Sequence, residues 1–344
     1  MYPSLHDVLK ARKIVSKHLR RTPLIYSKQL SRILECDAYI KCENIQVTGA
    51  FKVRGGVNLI SNLTPDELEK GVIAVSTGNH GLSIAYAASV FNVKAVIVMP
   101  EKANPFKAQA IRDLGAEVVF HGRDFDEARE WTEKEAVKRG YRYIHSGNEP
   151  HLISGVGTLY LEVVEDLPDV DVIICPVGGG SGASAACIVA KTINPKIRVI
   201  GVQASGAPAV YLSWRNRRII KTETVNTFAE GLATRAPFEL TLNIMWKLLD
   251  DMVLVSDEEI AKAILLLLET THQLAEGAGA ASTAAALKLK NQIRNMKTAL
   301  ILSGGNITLE TLKEIITHHE INNFKASNSP VQVGYPANSL SRLV

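Results

Sequence analysis

From residue 71 onward, short runs of apolar and largely β-branched residues alternate with stretches of ten or more positions patterned like helices. The runs read GVIAVS (71–76), KAVIVMP (94–100), AEVVFHG (116–122), DVIICP (171–176), IRVIGVQ (197–203) and TALILSGGN (298–306), with helical patterns at 81–90, 105–114 and 126–139 among those between them. Strands apolar on both faces and separated by helices are what a parallel sheet covered on both sides demands, because the crossover helices leave neither face to water. The pattern therefore predicts an α/β protein. Residues 71–149 are self-contained enough to form a small lobe, inserted into a larger discontinuous one made of 1–70 and 150–320. From 321 to 344 the chain is predicted to be a polar tail.

At 344 residues the chain is too long for one minimal core and too short for three domains. Its 46% hydrophobic and 22% charged residues exclude disordered, collagenous and disulfide-scaffold classes. A net charge of +4 is a small excess, and its densest basic cluster, Arg215, Arg217 and Arg218, reads as a solvated turn, so no nucleic-acid partner is expected. Cys36, Cys42, Cys175 and Cys187 sit at neither metal-ligand nor redox spacing, which suits reduced core thiols. The first residues are charged and helical without the apolar segment of a secretory signal, and no apolar run approaches the roughly 18 residues of a membrane span. A cytoplasmic protein with no membrane partner is expected.

Three strand ends carry loops suited to a ligand, and in open parallel sheets ligands gather at the carboxyl ends of strands. Ser76-Thr77-Gly78-Asn79-His80-Gly81 opens a helix, where free amides suit a carboxylate, although a serine N-cap with a glycine turn would read the same way. His80 within it is a lone histidine, a residue more often used for packing than for acid–base work. Gly178-Gly179-Gly180-Ser181-Gly182 precedes an Ala-rich helix and makes a nest of N–H donors at the positive end of its dipole. Walker A is excluded for want of a Lys followed by Ser or Thr. A dinucleotide fingerprint is formally met by Gly178, Gly180 and Ala183. The next strand, however, ends in Gln203 where a ribose hydroxyl would want an acid, so a single phosphate monoester fits better. Ser303-Gly304-Gly305-Asn306 is the third loop. A fourth segment, Thr48 to Gly56, holds Lys52 behind the aromatic Phe51, and a partly desolvated lysine becomes an amine nucleophile. Phosphate nest, reactive lysine and aromatic neighbour together suggest pyridoxal 5'-phosphate.

These residues resemble the fold type II pyridoxal-phosphate enzymes, specifically the threonine/serine dehydratase and serine racemase group, from about residue 5 to 316. AFKVRGG resembles the Schiff-base motif, STGNHG the substrate-carboxylate loop, GGGSG the phosphate loop and LSGGN the pyridine-nitrogen loop, with EGAGA in place at 276–280. The resemblance implies a two-domain architecture, each lobe an open, mainly parallel sheet covered by helices. It implies that Lys52 is the Schiff-base lysine and Cα proton shuttle. Phe51 would flank the cofactor ring, Asn79 would bond its hydroxyl, Glu276 would lie beside it, and Ser303 would face its nitrogen. Gly178, Gly179, Gly180, Ser181 and Gly182 would hold the phosphate, and the backbone of Ser76, Thr77, Asn79 and His80 the substrate carboxylate.

The implied reaction is β-elimination from L-threonine or L-serine to a 2-oxo acid and ammonia, in a homodimer or homotetramer. Serine racemase, hydroxyaspartate dehydratase or phenylserine dehydratase activity is the alternative. Thr77 stands where racemases carry a serine as second base, which favours dehydration. Gln203, Ala207 and Ala209 replace the oxygen ligands of the racemases' divalent-cation site, so no metal is expected. The pattern ends near residue 318, so no regulatory C-terminal module is expected. A nicotinamide dehydrogenase would be colourless, whereas a pyridoxal enzyme is yellow.

Overall fold

The computed structural model describes residues 2–123 and 125–326. All six runs named above are strands, and four more join them: β1 (Leu24–Tyr26), β2 (Asp37–Cys42), β3 (Val72–Val75), β4 (Ala95–Met99), β5 (Glu117–Phe120), β6 (Arg142–Ile144), β7 (Val172–Pro176), β8 (Arg198–Ala204), β9 (Asp251–Val255) and β10 (Lys297–Leu302). They form a six-stranded sheet in the order β1-β2-β10-β7-β8-β9 and a four-stranded sheet in the order β5-β4-β3-β6. Every pairing is parallel except β1 with β2. The protein is thus mixed α/β, with parallel sheets covered by helices.

β1, β2, β6 and β9 escape the sequence pattern for a physical reason. Each is short, or carries charge where a buried strand would be apolar: DAYIKC has Lys41 at its fully buried end, and RYI opens on Arg142. The four strands of the smaller sheet all fall between Val72 and Ile144.

The helix Gly277–Lys288 is buried from Gly277 to Ala286, small residues letting it lie flat on the large sheet, and Ser282 donates to the Ile301 carbonyl at 3.1 Å. The helix Lys52–Ile60 is buried from Val53 onward between the helices Asn79–Val90 and Pro150–Asp166. Its Gly55 and Gly56 make that possible: a Cβ on Gly55 would lie 2.8 Å from Leu152, and one on Gly56 would run into Ser83. Ser83 Oγ donates to the Lys52 carbonyl at 2.7 Å, fixing the start of the helix.

The chain up to Asn306 packs as one compact unit that holds both sheets. From Ile307 the chain forms a second unit, the helix Leu309–Ala326, capped by Thr308, whose hydroxyl accepts from the Thr311 amide at 3.1 Å. The tail expected from residue 321 is helical to Ala326, and 327–344 lie outside the described residues. The four cysteines are buried and free, as their apolar setting predicts. Among the described residues no helix is long and apolar enough to cross a membrane.

Candidate active site

The parallel register of the large sheet brings the ends of β2, β10, β7 and β8 to one edge, Leu302 opposite Cys42 and Pro176 opposite Val202. Loops leaving that edge meet by main-chain bonds. Phe51 N donates to Ser303 O at 3.0 Å, Gly305 N to Gly49 O at 2.9 Å, and Glu276 N to Gly304 O at 3.0 Å. Side chains complete the junction: Asn79 Nδ2 donates to Glu276 Oε1 at 2.6 Å, while Asn306 Nδ2 donates to Asn79 Oδ1 and to Thr48 O, both at 2.8 Å. Lys52, Asn79, Glu276 and Ser303, far apart in sequence, therefore share one cleft.

Lys52 is the first residue of its helix, with its amine 5.1 Å from the centre of the Phe51 ring. Part of the side chain reaches the cleft, but protein crowds the amine closely enough that loss of water pulls its pKa down to about 8, against an opposing pull from Glu276. Among the described residues no carboxylate comes within ion-pair distance of it. Glu276 shifts the opposite way, its pKa raised first by desolvation.

The glycine loop also adjoins the Phe51 ring. A Cβ built on Gly182 would lie 3.7 Å from Phe51 Cζ. Gly180 is left-handed at φ +88° and is the N-cap of the helix Ser181–Ile193, so the amides of the first turn, which have no partner inside the helix, face the loop's own opening. Gly178 and Gly179 admit no side chain: one would collide with the Gly231 carbonyl and the other with the Phe238 ring. Thr241 Oγ1 donates to Gly179 O at 2.6 Å and holds the loop from outside.

In the loop 76–81, the buried Ser76 Oγ accepts from Gly78 N at 3.0 Å and Gly81 N at 2.8 Å, so its side chain shapes the loop. Thr77 and Asn79 are half-buried at the cleft. His80 is buried, and neither ring nitrogen has a hydrogen-bond partner of good geometry among the described residues. Burial first, then the charge of Lys52, lower its pKa to about 3 against a weak opposing interaction with the Ile144 backbone. His80 is neutral at physiological pH and does not serve as an acid there.

Two residues beyond Lys52, the fully buried Arg54 was missed in sequence. It meets Glu43 through Nε and Nη2, both at 2.8 Å, and Glu162 through Nη1 and Nη2 at 2.7 and 2.9 Å. Lys41 Nζ adds a 2.6 Å bond to Glu162, closing a quartet of two cations and two anions. Asn306 was also missed, although it stands in the LSGGN loop. Its spacing from Asn79 in sequence gives no hint of their contact.

A family model described as pyridoxal-phosphate dependent enzyme matches residues 15–304. The chain belongs to that family. It is 42% identical to the L-threonine ammonia-lyase of Thermotoga maritima over 313 residues, 91% of this chain and 78% of the relative. Among solved structures, the processed form of threonine deaminase isoform 2 from Solanum lycopersicum superposes with a TM-score of 0.87 at 35% identity, covering 91% of each chain. Maize serine racemase gives the same TM-score at 30% identity, covering 94% of this chain and all of that one.

The cofactor is pyridoxal 5'-phosphate, and the cleft of this pyridoxal-phosphate enzyme fits it. A desolvated amine without a counter-ion lies one aromatic ring away from a nest of free amides, matching a ring that bears a carbonyl and a phosphate on neighbouring arms. Gln203 is buried, and its Oε1 accepts from the Tyr211 amide at 2.8 Å, supporting the helix Ala209–Asn216.

Proposed function

We propose that the enzyme deaminates L-threonine and/or L-serine by β-elimination, giving a 2-oxo acid and ammonia. The carrying observation is the Lys52 amine, desolvated and without a carboxylate partner, beside the same Phe51 ring that the amide nest adjoins. The similarity to threonine ammonia-lyase and threonine deaminase supports the substrate class.

At a pKa of about 8, Lys52 is neutral in roughly one molecule in ten at pH 7, against about one in three thousand for an ordinary lysine. Such an amine can attack a carbonyl and later, released, act as a base. Bound pyridoxal phosphate supplies the electron sink for the charge left when the substrate's Cα proton is removed. Lys52 takes that proton. The C–H electron pair becomes the Cα=Cβ bond as the Cβ–O bond breaks, the leaving hydroxyl takes up the proton that Lys52 removed and departs as water, and the freed enamine hydrolyses to oxo acid and ammonia.

Gly178 to Gly182 hold the phosphate, Phe51 flanks the ring, and Asn79 and Glu276 line its hydroxyl side. Ser303 faces the ring nitrogen as a neutral group, favouring elimination over transamination. Amides of Ser76, Thr77, Asn79 and His80 hold the carboxylate. Residues 71–149 form the small lobe inside a large one of 1–70 and 150–320, and the protein works in the cytoplasm as a homodimer or homotetramer, a state checked by light scattering. Serine racemisation is the second reading, favoured by the likeness to maize serine racemase, with the Thr77 hydroxyl as the second base.

The test is 2-oxo acid release from L-threonine, L-serine, 3-hydroxyaspartate and phenylserine beside a Lys52→Ala variant, with chiral analysis of residual serine. Release from threonine or serine that vanishes in the variant is expected. A yellow protein releasing none overturns the dehydratase reading, and D-serine as the main product replaces it with the racemase.

A further inference from the structure

Lys107, in the first turn of the helix Pro105–Asp113, follows β4 of the four-stranded sheet. Glu230 opens the short 3-10 helix Glu230–Leu232, in the segment between β8 and β9 of the six-stranded sheet. Lys107 Nζ and Glu230 Oε2 form an ion pair across the cleft, between residues 123 apart in sequence. It lies directly on the carboxylate loop: a Cβ on Gly78 would sit 3.7 Å from Lys107 Nζ and 3.8 Å from Glu230 Oε2. The next residue after Glu230 presses its carbonyl on Gly178 of the phosphate loop, and a Cβ on that Gly231 would meet Ala278, two residues past Glu276. One surface contact therefore touches the loops assigned to the substrate carboxylate and to the phosphate.

We propose that Lys107 and Glu230 are positioning residues for the reaction, a cross-cleft latch that closes the two sheets over the bound substrate. The inference rests on the reading of 76–80 as the substrate loop. Lys107 is 14% exposed and Glu230 53%, so the pair stands at the rim, where an ion pair is weak enough to open at thermal cost and strong enough to bias closure. Both groups also act electrostatically on Glu276, Lys107 lowering its pKa and Glu230 raising it, which sets the latch close to the chemistry without touching the reacting atoms.

The test uses the holoenzyme and two readouts. The first is capture of the cofactor by hydroxylamine, followed by loss of the visible band, which needs no turnover. The second is KM and kcat on L-threonine. Lys107→Gln and Glu230→Gln are expected to speed capture about three- to fivefold, the population shift a rim ion pair of this exposure can supply. KM should rise by a similar factor, and by more than kcat falls. Lys107→Glu and Glu230→Lys should each do the same, and the double reversal should recover most of the wild-type rate, which a purely structural role would not produce. In wild type, added salt should speed capture, with no such response in Glu230→Gln. Capture rates equal to wild type in both Gln variants, or a double reversal no better than the single ones, overturn the latch. A wild-type protein that is colourless or inert toward threonine would instead overturn the reading of the site before any variant is compared.

Discussion

Arg54 and Lys52 stand two residues apart on one helix, yet the protein treats their charges oppositely. Arg54 is wholly buried and every face of its guanidinium is answered, by Glu43, Glu162 and the hydroxyls of Thr22 and Thr158. Those carboxylates outweigh the loss of water and hold its pKa up. Lys52 loses water with no carboxylate to replace it, and its pKa falls to about 8. The neighbouring His80 is likewise buried without good partners and falls to about 3. A buried group whose hydrogen bonds are all made is part of the frame, whereas one left short of partners is free to engage a ligand. The quartet fixes the helix, and the helix presents the under-satisfied amine.

The largest effect should come from breaking the satisfied side. Arg54→Met leaves the fully buried Glu43 without its cation and Glu162 with Lys41 alone, and an unpaired buried charge costs about 3–5 kcal/mol. Urea unfolding should show that loss, whereas a change under about 1 kcal/mol would mean that water enters and screens the site.

This contrast was half legible in the sequence. AFKVRGG pointed to Lys52 because a lysine beside an aromatic and small residues is a local feature. Arg54, in the same seven residues, gave no sign, because its partners lie 11 and 108 positions away and only the fold reveals that they are buried. The strands followed the same rule. β3, β4, β7, β8 and β10 are nearly all apolar and readable, as is β5 despite its exposed ends, while β2 hides Lys41 of the quartet among residues that resemble a polar loop. The helix Leu309–Ala326 runs through polar residues into the stretch expected as a polar tail, where composition alone carries no helix boundary.

A smaller effect should follow from altering the ligand-facing side. Gly180→Ala forces an L-residue to φ +88° and sets a Cβ 2.8 Å from Met245 Cε, a strain of about 1–3 kcal/mol. Because the strain falls on the N-cap of the helix proposed to hold the phosphate, the apo protein should lose stability by that amount and also bind pyridoxal phosphate more weakly in a fluorescence titration. Equal affinity in a destabilised variant would separate the loop from the phosphate.

The finest test follows the Lys52 proton. Only the neutral amine attacks the cofactor carbonyl, so reconstitution of apo protein should accelerate nearly tenfold per pH unit up to about pH 8 and level off above it, as the folded-state pKa requires. Among the described residues, Glu276 is the carboxylate whose charge favours the protonated amine. Glu276→Gln removes that support, so the cation becomes less stable, the Lys52 pKa drops further, and the midpoint of the pH profile should move to lower pH. The displacement should be a fraction of a unit, since desolvation is the larger cause. A midpoint that stays fixed would mean that the Glu276 charge does not act on the amine and that burial alone sets its poise.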